Sequence, residues 1–351
     1  MTVDEKKLNE FVNKMVGDVG ATLSSIGVVL GDRLGLWKAL AAEARTSLEL
    51  ASATGTHERY VREWLDSQAA AGYLQYDPIT GRYSLTAEQA FTLADETSPA
   101  FFPGLFEVTA ACWAALDRQT ENFKTGGGIA WGHQHPCLFT GTERFFKAGY
   151  VANLVASWIP ALDGVEGKLR AGARVADVGC GVGASTILLA LAFPESTFVG
   201  FDSHEGSIEL ARQRATAQGV GDRVRFEVAK STDFSGTGYD LIAHFDCLHD
   251  MEDPSEAARH ARRAIAKDGT WMVVEPFASD KREENHNGVG RVFYGASQML
   301  CIPHSLAHGG PALGAQAGEA RLRKVIVDDG GFSRLRRATE TPFNLILEAR
   351  P

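Results

Sequence analysis

The residues in this chain best placed to do chemistry together lie in VADVGCGVGAST, residues 175–186. Gly179, Gly181 and Gly183 fall where an apolar run, read as a buried strand, turns sharply into a helix. Such a turn demands residues that tolerate unusual backbone angles and let a ligand approach closely. Asp202 ends the next apolar run, FVGFD, and a carboxylate there can accept hydrogen bonds from both hydroxyls of a ribose. Gly179, Gly181 and Ala184 also satisfy the loose dinucleotide pattern GxGxxG/A, which keeps a nicotinamide oxidoreductase as one reading. Asp177 weighs against it. Two positions before the first glycine, its carboxylate would repel a pyrophosphate and attract a cation.

The elements around this turn narrow the choice. Apolar runs at 174–178, 197–201, 224–228, 241–245, 271–275, 335–339 and 343–348 read as strands, with helices opening near Ala184, Gly206, Pro254 and Gly318. Strands alternating with helices predict a doubly wound parallel sheet. Only Glu340, Thr341 and Pro342 separate the last two strands, too few residues for a crossover helix, so the final strand must run antiparallel to a neighbour. The expected class is therefore α/β: a seven-stranded, doubly wound, Rossmann-like sheet with a reversed last strand. That reversed hairpin is foreign to the usual dinucleotide fold. A nucleoside with a positively charged amino-acid tail, S-adenosyl-L-methionine, fits the two acids and the sheet better.

Residues 1 to about 95 read mainly as helices. Leu8, Phe11, Val12, Met15, Val16 and Val19 form one apolar stripe at helical spacing, and a second apolar segment runs from Ile26 to Leu40. Thr46 with Glu49 is a capping box for a short helix stopping near Gly55. Thr56 is then expected to cap a second helix, with Val61, Trp64, Leu65 and Ala69 on one face. The segment YLQYDPITGRYSLT reads as two short strands around a turn. Helix, helix and hairpin in this order predict a winged helix. Its second helix alternates Arg59 and Arg62 with Glu58, Glu63 and Asp66, a nearly neutral surface that suits packing or dimerisation better than a DNA groove. The alternative kept open is a winged-helix DNA-binding regulator whose second domain senses a ligand. Residues 96–168 are read as a helical bridge contributing to a substrate pocket, and 169–351 as the α/β domain. Within the bridge, TGGGIAWGHQHP (125–136) is a glycine-rich loop. Its His133 and His135 lack companions at metal-ligand spacing, so no metal is expected.

Composition sets outer bounds. With 351 residues, 44% hydrophobic and 23% charged, the chain can form two domains with ample core. Five cysteines, none in a CxxC pair, suggest reduced thiols and a cytoplasmic location. No secretion signal is legible at the N-terminus. No run approaches the ~20 uninterrupted apolar residues of a membrane helix. A net charge of −9 argues against nucleic acid as partner.

DVGCGVG together with Asp177 and Asp202 resembles the glycine-rich motif and ribose acid of class I S-adenosylmethionine-dependent methyltransferases. The resemblance covers residues 170–351, including YDLIAHFDCLHDMEDP and the DGG-F turn before the last two strands. The winged helix and bridge are similar to the dimerisation module of bacterial small-molecule O-methyltransferases, which implies a homodimer through the N-terminal domain and a small-molecule acceptor. The glycine motif carries fold and cofactor and says little of the acceptor. By this resemblance Gly179 and Gly181 approach the cofactor's amino-acid moiety, Asp177 supports its ammonium, and Asp202 holds the ribose with Ser203 beside it. Lys230 and Ser231 stand where the family brings an Asp-Ala pair beside the adenine. Lys230 departs from that pattern, leaving Ser231 or the backbone as substitutes. His244 and Phe245 would line the methionine arm.

The same resemblance supplies a candidate for proton transfer. CLHDMEDP is similar to the LHDW-D signature of O-methyltransferases, in which the histidine is the base; here that is His249, with Met251 in place of the signature tryptophan. Glu275, in VVEPF, occupies the position of an acid that orients such a histidine. A phenol, at pKa ~10, is mostly protonated at neutral pH and benefits from a base. The segment also permits a plainer reading, in which Asp253 and Pro254 simply start the next helix. His304 and His308 are weaker candidates. An enclosed, apolar or aromatic acceptor site is expected, walled by Phe145, Phe146, Tyr150 and Trp158 and by helices of RVFYGASQMLCIPHSL.

Overall fold

The computed structural model describes residues 2–351, and the chain divides into two compact units. One is built from residues up to Ala110 with Cys137–Ala148, the other from Ala111–Pro136 with Gly149–Pro351.

The first unit opens with α1, Glu5–Arg33, whose cap residue Asp4 accepts from the N–H groups of Lys6 and Lys7. The two apolar segments seen in the sequence belong to one continuous helix as far as Arg33. Gly20 between them costs only about 1 kcal/mol in a helix interior, too little to break it. Its two halves differ. The predicted stripe is open to solvent, Phe11 60% and Val16 65% exposed, whereas Val28 is fully buried. Among the described residues α1 is the helix long and apolar enough, by length and composition, to cross a bilayer. One face of its second half (Ser24, Val28 and Gly31) joins a protein core, while Leu23, Ile26 and Leu30 stay exposed. The indole N–H groups of Trp37 and Trp64 donate to the carbonyls of Val28 and Gly27 at 3.0 and 2.7 Å.

Next come α2 (Leu36–Ala42), α3 (Ser47–Thr54) and α4 (Glu58–Ala70). The Thr46–Glu49 capping box is formed and α3 stops at Gly55 in the left-handed conformation. The cap of α4 is His57, accepting from the N–H of Arg59, and not Thr56. Thr56 turns its hydroxyl back to that of Thr54, 2.8 Å away. The wing is the antiparallel pair β1 (Gln75–Asp77) and β2 (Arg82–Ser84). On α4, Arg59 and Arg62 are paired with Glu63 and Glu58. The helix therefore offers no unpaired cationic face at those positions.

The second unit contains a sheet of seven strands: β3 (Arg174–Val178), β4 (Thr197–Asp202), β5 (Val224–Val228), β6 (Tyr239–Phe245), β7 (Ile265–Pro276), β8 (Arg334–Glu340) and β9 (Asn344–Arg350). Their spatial order is β5-β4-β3-β6-β7-β9-β8. β9 runs antiparallel to both neighbours and all other pairs are parallel. β7 begins at Ile265, earlier than its apolar run suggests, because Ile265 pairs with Tyr239 before a register shift restores the ladder at Thr270. Helix α5 (Ala184–Ala192) follows β3, and α6 (Pro254–Ala264) presents fully buried Ala257, Ala258 and Ala261 to the core. After β3 the chain steps outward to β4 and β5, then returns to β6 on the other side. Such a reversal opens a crevice beyond the carboxyl ends of the two central strands, where α/β sheets bind ligands.

Candidate functional site

The turn after β3 lies at that crevice. The N–H groups of Gly179 and Cys180 both donate to Phe201 O, at 2.8 and 3.0 Å, tying the turn to β4. Gly179 and Gly181 have φ of 75° and 53°, the left-handed region that side chains rarely adopt. A Cβ on Gly181 would meet nothing within 4 Å, whereas one on Gly179 would strike Cys247 Sγ at 2.7 Å. The turn is thus packed against the loop after β6 on one side and open at Gly181. Asp202 braces it: Oδ2 accepts from Gly181 N at 2.9 Å and Oδ1 from His204 N at 2.8 Å. Burial pushes its carboxyl upward, against the pull of those two donors.

Asp177 is almost fully buried. Its Oδ2 accepts the hydroxyls of Ser185 and Thr186, each at 2.6 Å, while Oδ1 has no partner. Burial raises the carboxyl to about 6 despite those hydroxyls. An orphaned buried oxygen costs free energy that a cationic ligand group would offset. The orphaned oxygen, the open glycine cradle and the braced acid fit a ligand with an ammonium and a ribose.

Other residues named from the sequence are dispersed around this turn. Ser203 is exposed beside Asp202, and Ser231 is half-buried. Lys230 sends its ammonium to Glu252, at 2.9 and 3.3 Å. Phe245 stacks near Tyr150, ring centroids 5.3 Å apart. His244 is 0% exposed. Its Nδ1 accepts from the Trp271 indole at 2.9 Å, and burial alone drives its pKa down to about 3.

The loop after β6 carries a second cluster. His249 Nδ1 lies 2.6 Å from Glu275 Oε2, both side chains buried, and Glu275 Oε1 accepts from Leu248 N at 2.9 Å. Since a carboxylate only accepts, the proton between them sits on Nδ1 and the lone pair is left on Nε2. Nε2 stands 3.3 Å from Cys301 Sγ. Burial, the largest single influence, lowers the histidine's proton affinity, but the Glu275 carboxylate and Cys301 together outweigh it and hold the pKa well above the ordinary value. The imidazole is thereby fixed in orientation and made more basic, which suits it to take a proton at Nε2.

Several participants escaped the sequence reading. Asp246 has φ 53°, a strained position for an aspartate at the mouth of the crevice. Its carboxylate accepts from Asn344 Nδ2 at 2.7 Å and from the Tyr150 hydroxyl at 3.5 Å, and burial raises it well above the carboxylate range. Asp250 is pushed up by burial to about 7. Only an acid count in FDCLHD hinted at either. Cys301, remote in sequence, gave no signal.

Beyond the crevice, helices Gly288–Met299 and Cys301–Ala307 carry the apolar residues expected there. They belong to an excursion closed at its base where Asp280 accepts the N–H of Ala320 at 2.8 Å. The glycine-rich segment is more than a plain connecting loop. Ile129 N donates to Pro303 O at 2.9 Å and Trp131 N to His304 Nδ1 at 3.1 Å. A Cβ on Gly128 would strike Ala307 N at 2.2 Å, so this close approach requires glycine. Burial, with His308 adding to it, lowers His304 to about 4.

Residues 169–312 match the sequence family described as "Methyltransferase domain". This segment is a methyltransferase domain. Residues 21–95 match a second family, "Rv2258c-like winged HTH domain". Over 148 residues the chain is 34% identical to a 27-O-demethylrifamycin SV methyltransferase of Amycolatopsis mediterranei, covering 40% of this chain and 53% of that one. It spans about half or less of the first curated relatives it matches. A Streptomyces lavendulae mitomycin biosynthesis 6-O-methyltransferase is 26% identical over 71% of this chain and 72% of its own length. The structure of human N-acetylserotonin methyltransferase in complex with SAM shares the fold of the methyltransferase domain and of the helical N-terminal region: TM-score 0.70, 16% identity, 100% of this chain and 99% of that one.

Proposed function

We propose that this protein transfers a methyl group from S-adenosyl-L-methionine to an oxygen of a small apolar or aromatic molecule. The observation that carries the proposal is the buried His249–Glu275 pair next to a glycine turn braced by Asp202. The named O-methyltransferases among its relatives support the same chemistry. In this reading Asp202 accepts the ribose hydroxyls, the orphaned oxygen of Asp177 accepts the ammonium, and the backbone at Gly179 and Gly181 admits the amino-acid moiety. Ser203, Ser231 and Phe245 border the cofactor. Lys230 has its ammonium committed to Glu252 and its backbone N–H to Asp233, which leaves its carbonyl and Ser231 for the adenine side.

When bound, the cofactor supplies a methyl carbon already activated by a sulfonium. The chain's own task is to align the acceptor oxygen, exclude water and remove a proton. His249 Nε2 accepts the acceptor's hydroxyl proton, and Glu275 stabilises the imidazolium that forms. The base must be neutral to act, so turnover rises with pH through a value above the ordinary histidine range. Tyr150 and Trp158, whose rings lie 6.0 Å apart, belong to the same compact unit and supply aromatic wall.

The exposed stripe of α1 is assigned to a homodimer contact with a second copy. A continuous apolar face of this kind is unusual on a solvated surface. Five cysteines, none of them in a disulfide, suit the reducing cytoplasm. The test is incubation of the purified chain with methyl-labelled cofactor and a panel of phenolic acceptors, with cofactor binding followed by calorimetry. Labelled methyl ether is the expected product. Absence of cofactor binding would overturn the assignment.

A further inference from the structure

We propose that His249, Asp250 and Cys301 form a binding site for a thiophilic divalent cation, zinc in the first instance. One ligand atom of each lies within 4.8 Å of the others. His249 Nε2 and Cys301 Sγ are 3.3 Å apart. A tetrahedral zinc ion with bonds of about 2.0 Å to nitrogen and 2.3 Å to sulfur spaces its ligands by about 3.5 Å, so this pair already stands near ligand separation.

The surroundings complete the argument. A metal-binding histidine characteristically donates its other ring N–H to a carboxylate, which fixes the tautomer and strengthens the ligand. Glu275 does this at Nδ1, 2.6 Å away, leaving the lone pair at the nitrogen that faces the thiol. Thiolate, imidazole and carboxylate together select zinc or cobalt over magnesium and calcium. Three protein ligands leave a fourth position for water or an acceptor oxygen. The thiol and, where it is protonated, the imidazole Nε2 release their protons to solvent as the metal bonds form, and no electron is transferred. The cation takes the Nε2 lone pair, so metal occupancy and proton acceptance by His249 exclude each other. Inhibition by zinc rests on the methyl-transfer proposal; the binding itself does not.

Cobalt(II) titrated into the full-length protein is the test. One equivalent is expected to produce a thiolate-to-cobalt charge-transfer band that zinc displaces. Cys301→Ala and the milder Cys301→Ser both abolish the band, with circular dichroism verifying the fold. Glu275→Gln weakens cobalt binding by about 10- to 100-fold. A wild-type protein without the band, or a band that survives Cys301→Ser, overturns the site. If cobalt binds through Cys301 while no methylated product ever forms, the metal site stands and the methyl-transfer proposal fails.

Discussion

The inner part of β6 and the loop that follows it hold two buried histidines five positions apart that behave in opposite ways. His244 meets a neutral indole N–H from Trp271, so burial alone acts and its pKa falls to about 3. His249 meets the Glu275 carboxylate, which together with Cys301 overcomes burial and raises it. Depth of burial is therefore a poor guide to function, and the charge of the partner decides. A neutral partner leaves burial to lower a histidine's proton affinity, whereas a carboxylate raises it.

The sharpest way to break this contrast is His249→Ala. Turnover is expected to drop about 10²- to 10⁴-fold, with calorimetric affinity for the cofactor unchanged. Unaltered turnover on a true acceptor would deny His249 its role. Asp202→Ala should do the reverse, weakening cofactor binding about 10- to 100-fold through loss of charged hydrogen bonds, read by the same calorimetry. His244→Leu is expected to cost about 1–3 kcal/mol of stability, because it leaves the Trp271 N–H unpaired. Chemical denaturation measures that loss, and the pH profile of turnover should not move. Glu275→Gln should shift the acid limb of that profile downward by about one unit, toward the ordinary histidine value. Finally, an ammonium needs Asp177 ionised. Cofactor affinity should thus fall as pH drops below about 6, by at most about tenfold per unit.

Much of the scaffold was legible because it rests on local rules. The Thr46–Glu49 box, the glycine turn and the short Glu340–Pro342 connection each fix a structure within a few residues. The substitution of His57 for Thr56 as a cap shows the limit of such rules, since adjacent residues with side-chain acceptors compete and only the backbone geometry chooses. Asp177 and Asp202 could be named from the glycine turn and the strands beside it, and His249 and Glu275 from the resemblance to a family signature. The partners that tune them were not legible. Cys301 reaches His249 from a helix 52 positions away, and Asn344 reaches Asp246 across 98. Nor does any pattern announce that Asp246 takes a left-handed conformation, or that a glycine-rich loop lies flat on the Cys301–Ala307 helix.

The Asp280–Ala320 clasp has an evolutionary corollary. Because the excursion carrying Cys301 departs and rejoins at almost one point, its interior can lengthen, shorten or be exchanged without re-registering a single strand; loop-closure entropy grows only slowly with length. In the methyl-transfer reading, acceptor preference can then diversify as a replaceable cassette while the Gly179–Gly181 turn stays constant.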